Sequence, residues 1–278
     1  MSAVPSTRQV GLRSGRLLLV LIAVSFALMP VYAAFLGALT PLESLGTRQL
    51  VPEFWHWANF AEVWQRIPLG RYLLTTTIYA VSAGALGTVL AAHAGYALSR
   101  LRFTGKKFFL YFLLISQVVP LVVVAIPLFA LVTRLGLFDT YVAVILTITA
   151  ITLPFPTFLL RAYFDRVPTE IEEAALVDGC SRFIAFWRVV LPISTPGLFT
   201  SFALVFFTAW QQFLIPLVLT ESRGKVPVTV GLFRLIESYV VPWNLVMAGA
   251  LIASIPPVVV FLLAQRFLVQ GMSAGAVK

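Results

Sequence analysis

Six stretches of the chain, 17–39, 72–98, 108–133, 141–160, 197–220 and 244–265, contain no Asp, Glu, Lys or Arg. Each is about as long as the run of ~20 residues that a helix needs to cross the ~30 Å apolar core of a bilayer. Inside lipid a backbone must satisfy its own polar groups, and a single segment does so only as a helix. The charge-free runs therefore predict an all-α integral membrane protein with six transmembrane helices. The chain is 60% hydrophobic and 11% charged, outside the range of a soluble domain. A formal net charge of +9 would suit a nucleic-acid binder, but the cations are scattered through short loops between apolar runs, so nucleic acid is excluded as a partner. Membrane lipid is the implied surrounding. One cysteine, Cys180, excludes an internal disulfide or a multi-cysteine metal site.

Residues 17–39 are too long for a signal-peptide core and read as a retained first span. The polar stretch 40–71 carries Pro41, Pro52 and Pro68 with Trp55, Trp57 and Trp64, a composition suited to an outer interfacial loop. Residues 55–60 within it read equally well as a short surface helix or an irregular loop. The second span is rich in small residues, including Ala83, Gly84, Gly87, Ala91 and Gly95, which favour close helix packing. Pro120, Pro127, Pro154, Pro156, Pro216, Pro256 and Pro257 predict kinks, tolerable where neighbours cover the freed carbonyls. With the amino terminus inside, 13 of the 20 Lys and Arg fall on inner segments: Arg8, Arg13, Arg16, Arg100, Arg102, Lys106, Lys107, Arg161, Arg166, Arg182, Arg188, Arg266 and Lys278. The bias places both termini in the cytosol. No repeat or domain boundary is visible, and 1–278 reads as one transmembrane domain.

The most charged and patterned segment is 167–196, VPTEIEEAALVDGCSRFIAFWRVVLPISTP. Pro168 suits a first helical turn, and Thr169 with Glu172 reads as a capping box. Glu170, Glu172 and Glu173 favour the positive end of the helix dipole, and Gly179 is placed to end the helix. Ser181 can cap a second short helix with Phe183, Ile184, Phe186, Trp187 and Val190 on a greasy face, which Pro192 and Pro196 stop. Two short helices joined by a sharp turn, with small alanines that admit a close approach, form a docking element on the inner side.

No phosphate-binding loop is present: Gly105-Lys106 and Gly224-Lys225 are not followed by Ser or Thr. No acidic chain lies within the spans, as an ion-coupled carrier would want. With two histidines and one cysteine, no triad or zinc site forms. His93 reads as a packed, hydrogen-bonded residue. The polar residues within spans are Gln117, the group Trp210, Gln211 and Gln212, and Asn244. Neutral amides and an aromatic suit a neutral polyhydroxylated solute, and equally they bridge helices.

Glu173, Ala174, Ala175, Gly179, Val189, Leu191 and Pro192 resemble the EAA signature of ABC importer permeases, E-A-A-x3-G-x9-I-x-L-P, with Val189 for isoleucine. Asp178 fits its commonest form, and Cys180 stands where a smaller residue is usual. Trp210-Gln211-Gln212-Phe213 is similar to the W-N-[DE]-F of the carbohydrate-importer branch, typified by the maltose-system membrane subunits. Both glutamines are departures. Residues 161–173 and the tail Gly271-Met272-Ser273-Ala274-Gly275-Ala276-Val277-Lys278 also resemble that branch. The resemblance covers 72–278. It implies a six-helix MetI-like type I importer permease in a prokaryotic cell membrane, non-catalytic and without a cofactor of its own. It implies a second permease subunit as partner in a heterodimer. Two cytosolic ABC ATPase subunits holding ATP and magnesium, and an extracytoplasmic solute-binding protein, complete the implied assembly. Glu173, Ala174, Ala175, Asp178, Gly179, Leu191 and Pro192 would couple to the ATPase; Gln117, Trp210, Gln211, Gln212 and Asn244 are the candidates for the solute path. A sugar or polyol is the implied cargo, with glycerophosphodiester or polyamine import, or a secondary carrier, as alternatives.

Overall fold

A computed structural model describes residues 7–46 and 55–276, with side chains over 17–46 and 55–265. Among the described residues every regular element is helical. The first seven are α1 (Thr7–Leu39), α2 (Ala58–Arg66), α3 (Leu69–Arg100), α4 (Lys106–Ser116), α5 (Leu121–Arg134), α6 (Tyr141–Thr152) and α7 (Pro154–Phe164). Then come α8 (Thr169–Val177), α9 (Arg182–Ala185), a π-helical rung (Phe186–Val190), α10 (Leu191–Ile193), α11 (Thr195–Trp210) and α12 (Leu214–Leu219). The last are α13 (Val228–Ile236) and α14 (Trp243–Ala276). Pro52, Lys278 and the end of the tail motif lie outside the described residues, as do the side chains of Arg8, Arg13, Arg16 and Arg266.

Among the described residues three single helices, Leu17–Leu39, Leu69–Arg100 and Trp243–Gln265, are long and apolar enough to cross a bilayer. Three more spans arise only if bent pairs count as one each: α4 with α5 at 106°, α6 with α7 at 54°, and Arg182–Ile193 with α11 at 80°. Prolines account for the first two breaks. Pro120 sits in extended backbone between α4 and α5, and Pro154 opens α7. The expected fifth span, 197–220, is divided at 211–213 between α11 and α12.

The chain forms two compact units, residues 1–67 with 234–252 and residues 68–233 with 253–278. In the first, residues 17–33 of α1 are exposed all round, so this apolar helix needs lipid or another chain about it. Its last turn leaves unpaired carbonyls, as every helix end does. The buried Asn59 of α2 supplies the missing donors, its Nδ2 donating to Ala38 O (2.9 Å) and Thr40 O (3.2 Å). Of residues 55–60, which read equally as a short helix or a loop, only 58–60 are helical, as the start of α2. Trp55 and Trp57 instead pack edge-on against Phe35 at 6.4 and 6.2 Å.

The second unit is built around α3. Its small residues Ala80, Ala83, Gly84, Gly87, Ala91, Ala92 and Gly95 are all buried. A Cβ at Gly95 would lie 2.9 Å from the Arg161 nitrogen and 3.1 Å from the Thr157 oxygen, so α3 meets the backbone of α7 where no larger residue fits. Val144, Ile148, Val205, Phe206, Trp210 and Ile215 fill the core beside Tyr79 and Ala83. One carbonyl freed by a helix-interior proline is covered by a side chain. Pro257 cannot donate to Ala253 O, which accepts instead from Trp210 Nε1 (3.2 Å). Pro216 stands in the first turn of α12, where a missing donor has no intrahelical partner, and Gln212 O just before that helix accepts from Thr229 Oγ1 (2.7 Å).

At one end of this unit the turn 221–225 is tied down by Asp139, whose Oδ1 accepts from the Glu221 and Ser222 amides (3.0 and 3.1 Å). Its Oδ2 accepts from Ser222 Oγ and from Lys225 Nζ, the latter at 3.0 Å. Burial pushes the Asp139 carboxyl up. The hydrogen bonds from the Ser222 hydroxyl, the Glu221 amide, Lys225 and the Ser222 amide outweigh it and hold the group well below the ordinary carboxylate range. A depressed carboxyl contributes stability that is present above its unfolded value of about 4 and is lost as pH falls through the folded value. Hydrogen exchange at the Glu221 and Ser222 amides, corrected for intrinsic rates, should therefore show constant protection from pH 7 to 5 and falling protection below pH 4. Asp139→Asn should lower that protection about tenfold at neutral pH.

Candidate functional site

The segment expected to be a docking element folds as a hairpin of α8 and the α9–α10 segment. α8 ends in a left-handed glycine cap: Gly179 has φ +88°, its amide donates to Leu176 O (3.1 Å), and the Cys180 amide donates to Ala175 O (3.0 Å). Among the described residues nothing lies within 4 Å of a Cβ built on Gly179, so the turn is open there. Ser181 Oγ accepts from the Ile184 amide (3.3 Å) and caps α9 as anticipated. The second helix ends between the two prolines rather than at Pro192. A π rung closes with the Leu191 amide on Phe186 O, Pro192 stands in the first turn of α10, and the break comes at Ser194. Proline at a first helical turn forfeits only a donor that has no partner there anyway.

The two faces of α8 differ. Glu170, Glu173, Ala174 and Val177, spaced three and four apart, share one face, and all are exposed, Val177 to 88%. Asp178 and Gly179 are exposed beyond them, Ala175 and Leu191 are half-buried, and Pro192 is exposed. On the opposite face Glu172 is buried, which corrects the capping box. Helix α8 starts after Pro168, Thr169 is its first residue, and no side chain caps it. The Glu172 carboxylate turns inward to the end of α3. It accepts from Tyr96 Oη, and Arg100 Nε donates to it at 3.1 Å with both ionic side chains nearly buried. Arg100 also donates to Val167 O, so one guanidinium holds both the entry to α8 and its inner face. In low dielectric the carboxylate tolerates burial because donors surround it.

Phe186 and Val190 bury themselves with Ala91, Ala92, Tyr96, Leu160 and Phe164. The Phe186 ring lies 4.5 Å from Tyr96 and 5.3 Å from His93. His93 Nδ1 lies 2.7 Å from Val89 O, within hydrogen-bonding reach. Of the expected greasy face, Phe183, Ile184 and Trp187 remain exposed. The hairpin is therefore seated on α3 and α7 by its back while Glu173, Ala174, Asp178, Gly179 and Pro192 are exposed. Tyr96, Arg100 and Glu172 were not among the sequence candidates. Arg100 counted only as an inner cation, and a single sequence carries no mark of its pairing 72 residues away.

Gln117 lies at the α4–α5 break, exposed, with Nε2 donating to Ile151 O (3.3 Å). It lines a cavity of about 280 Å³ with Thr152, Phe155, Val205 and Thr208. Trp210 is buried, its indole N–H committed to Ala253 and its ring 5.5 Å from Phe206. Gln211 is exposed and Gln212 half-buried at the start of the α11–α12 break. Asn244 belongs to the other unit, where its Nδ2 donates to Asn59 Oδ1 (3.0 Å).

A family model described as "Binding-protein-dependent transport system inner membrane component" matches residues 83–274. The chain is 32% identical over 259 residues to the trehalose transport system permease protein SugB of Mycobacterium tuberculosis, covering 92% of this chain and 94% of that one. It is 36% identical over 208 residues to the trehalose/maltose transport system permease protein MalG of Thermococcus litoralis, covering 74% of each. Its structure is similar, at TM-score 0.79, to a chain from a bacterial ABC transporter involved in the import of the acidic polysaccharide alginate. That match covers 95% of this chain and 99% of the other at 21% identity, a likeness of fold.

Proposed function

The chain belongs to the family of binding-protein-dependent transport system inner membrane components, and on that premise we propose that it translocates a sugar or related polyol by alternating access. It is a multi-pass inner-membrane permease, and its family works with an ATPase and a solute-binding protein. The observation that carries the mechanism is the two-faced hairpin: an exposed signature face on one side, and Glu172 clamped to Arg100 and Tyr96 on the other. In our reading Glu173, Ala174, Ala175, Asp178, Gly179, Leu191 and Pro192 meet a cleft of a cytosolic ATPase. ATP and magnesium are held there, and this chain has no catalysis of its own. Closure of two ATPases moves the hairpin as a rigid body with α3 and α7. A second, different permease completes the translocation path, with six spans and both termini cytosolic in this subunit. The solute class is carried over from relatives named for trehalose and maltose transport.

Gln117, Gln211 and Gln212 are the amides we assign to the path, since they are exposed or half-buried at helix breaks. Trp210 offers only a ring face, and the Asn244 amide nitrogen is committed to Asn59, so both contribute less. The test is uptake of labelled disaccharides by cells lacking the gene and complemented with this chain. Gln211→Leu and Gln212→Leu should each raise the half-saturating concentration roughly three- to ten-fold, the loss of one neutral hydrogen bond. Co-purification of the ATPase should not change. Wild-type uptake in both variants would make them helix bridges, and complementation with a labelled glycerophosphodiester alone would move the solute class.

A further inference from the structure

Arg102, Lys106 and Lys107 converge on one cavity of about 530 Å³, lined also by Phe103, Gly105 and Leu110. The convergence follows from the turn at Gly105, whose φ of +92° folds the chain back before α4. Lys106 Nζ donates to Leu101 O (3.2 Å), which fixes its stem and leaves its remaining hydrogens for the cavity. The ion pairs formed among the described residues are Arg100–Glu172, Arg161–Asp165 and Lys225–Asp139, so no described carboxylate neutralises these three cations.

The helix that leaves this cavity is apolar and exposed. Phe108 is 75%, Tyr111 62% and Ile115 63% exposed, with Phe103 beside the cations at 42%. At 1.5 Å per residue the 11 residues of α4 rise about 16 Å, close to half of the ~30 Å apolar thickness of a bilayer. A cationic cavity at the head of an exposed apolar rod one leaflet deep matches both halves of an amphiphile. A nucleotide or an acidic peptide would use the charges and leave the rod bare. We propose that this cavity binds the phosphodiester headgroup of an anionic membrane lipid, with its acyl chains lying along α4. The site is independent of the solute and of the docking hairpin.

The experiment uses the full chain purified in neutral detergent, with lipid binding read by native mass spectrometry and by thermal stability. Phosphatidylglycerol should bind roughly ten-fold more tightly than phosphatidylcholine and raise the melting temperature more, with three juxtamembrane cations in attraction. The preference should shrink as salt rises. Arg102→Gln with Lys107→Gln, both at exposed positions, should reduce it below about two-fold while phosphatidylcholine binding stays as in the wild type. Equal affinity for the two lipids, or a preference that survives the double substitution, would overturn the site. Equal stabilisation by glycerol 3-phosphate would assign the cavity to a free phosphate and overturn the lipid. A preference present in the isolated chain but lost in the assembled transporter would mean that a partner subunit covers α4, and would overturn it too.

Discussion

Gly179→Asp is expected to leave the subunit inserted in the membrane and abolish transport. The glycine holds φ +88° at the end of α8, a conformation that costs an ordinary side chain about 1–2 kcal/mol. That cost is small beside the stability of a membrane protein, and among the described residues nothing lies within 4 Å of an added Cβ. The substitution has no clash to make inside the subunit, so a large defect must come from what docks on the open turn. A new carboxylate desolvated in that contact should cost roughly 2–5 kcal/mol, about thirty-fold or more in affinity. Glu173→Lys reverses the charge in the middle of the exposed face and should act in the same way. Gly179→Asn is the control for strain, because asparagine tolerates the left-handed turn. It should dock better than the aspartate variant and worse than glycine. The readouts are co-purification of the ATPase in detergent and hydrolysis stimulated by loaded binding protein. Normal stimulation in both Gly179→Asp and Glu173→Lys would show that this hairpin is not the coupling element.

The hairpin was legible because its signals are local. Gly179 needs a positive φ where α8 stops, and Ser181 caps within three residues, so both could be read from adjacent letters. Three of the charge-free runs lie in single helices long enough to span, since the absence of charge over twenty residues does not depend on what packs beside them. The breaks were only half legible. Proline announces that a helix loses a donor, but whether it then bends by 106°, as at Pro120, or runs on unbroken, as at Pro256 and Pro257, is set by neighbours. Trp210 illustrates the cost of reading one span alone. Its indole answers a carbonyl freed by Pro257, 47 residues on, and a mid-helix aromatic beside two glutamines reads as a path residue until that partner is seen. Glu172 misled for the opposite reason. An acidic residue in a first helical turn satisfies a local rule, and a distant pair of donors outbid the cap.

That distant pair carries the second large effect. Arg100→Ala should leave Glu172 in a nearly buried site with Tyr96 as its remaining donor, and release Val167 O at the same time. Breaking one side of a buried ion pair typically costs about 3–5 kcal/mol, because the surviving charge has no water to return to. The cheapest response for the chain is to lift α8 away from α3 and hydrate the carboxylate. The exposed signature face would survive that movement, so the ATPase should still co-purify, while closure no longer moves α3. Transport should fall at least about ten-fold with ATP hydrolysis retained, the reverse of the pattern for Gly179→Asp, where docking itself is lost. Glu172→Gln separates charge from packing: it keeps an acceptor for Tyr96 and strands Arg100 instead. The double variant Arg100→Ala with Glu172→Gln removes both charges and should recover much of the stability lost by either change alone. It should recover little of the transport, because a neutral pair no longer pins Val167 and α8 to the same guanidinium. If the double variant transports as well as the wild type, the clamp serves folding alone, and movement reaches α3 through the Phe186 contacts instead.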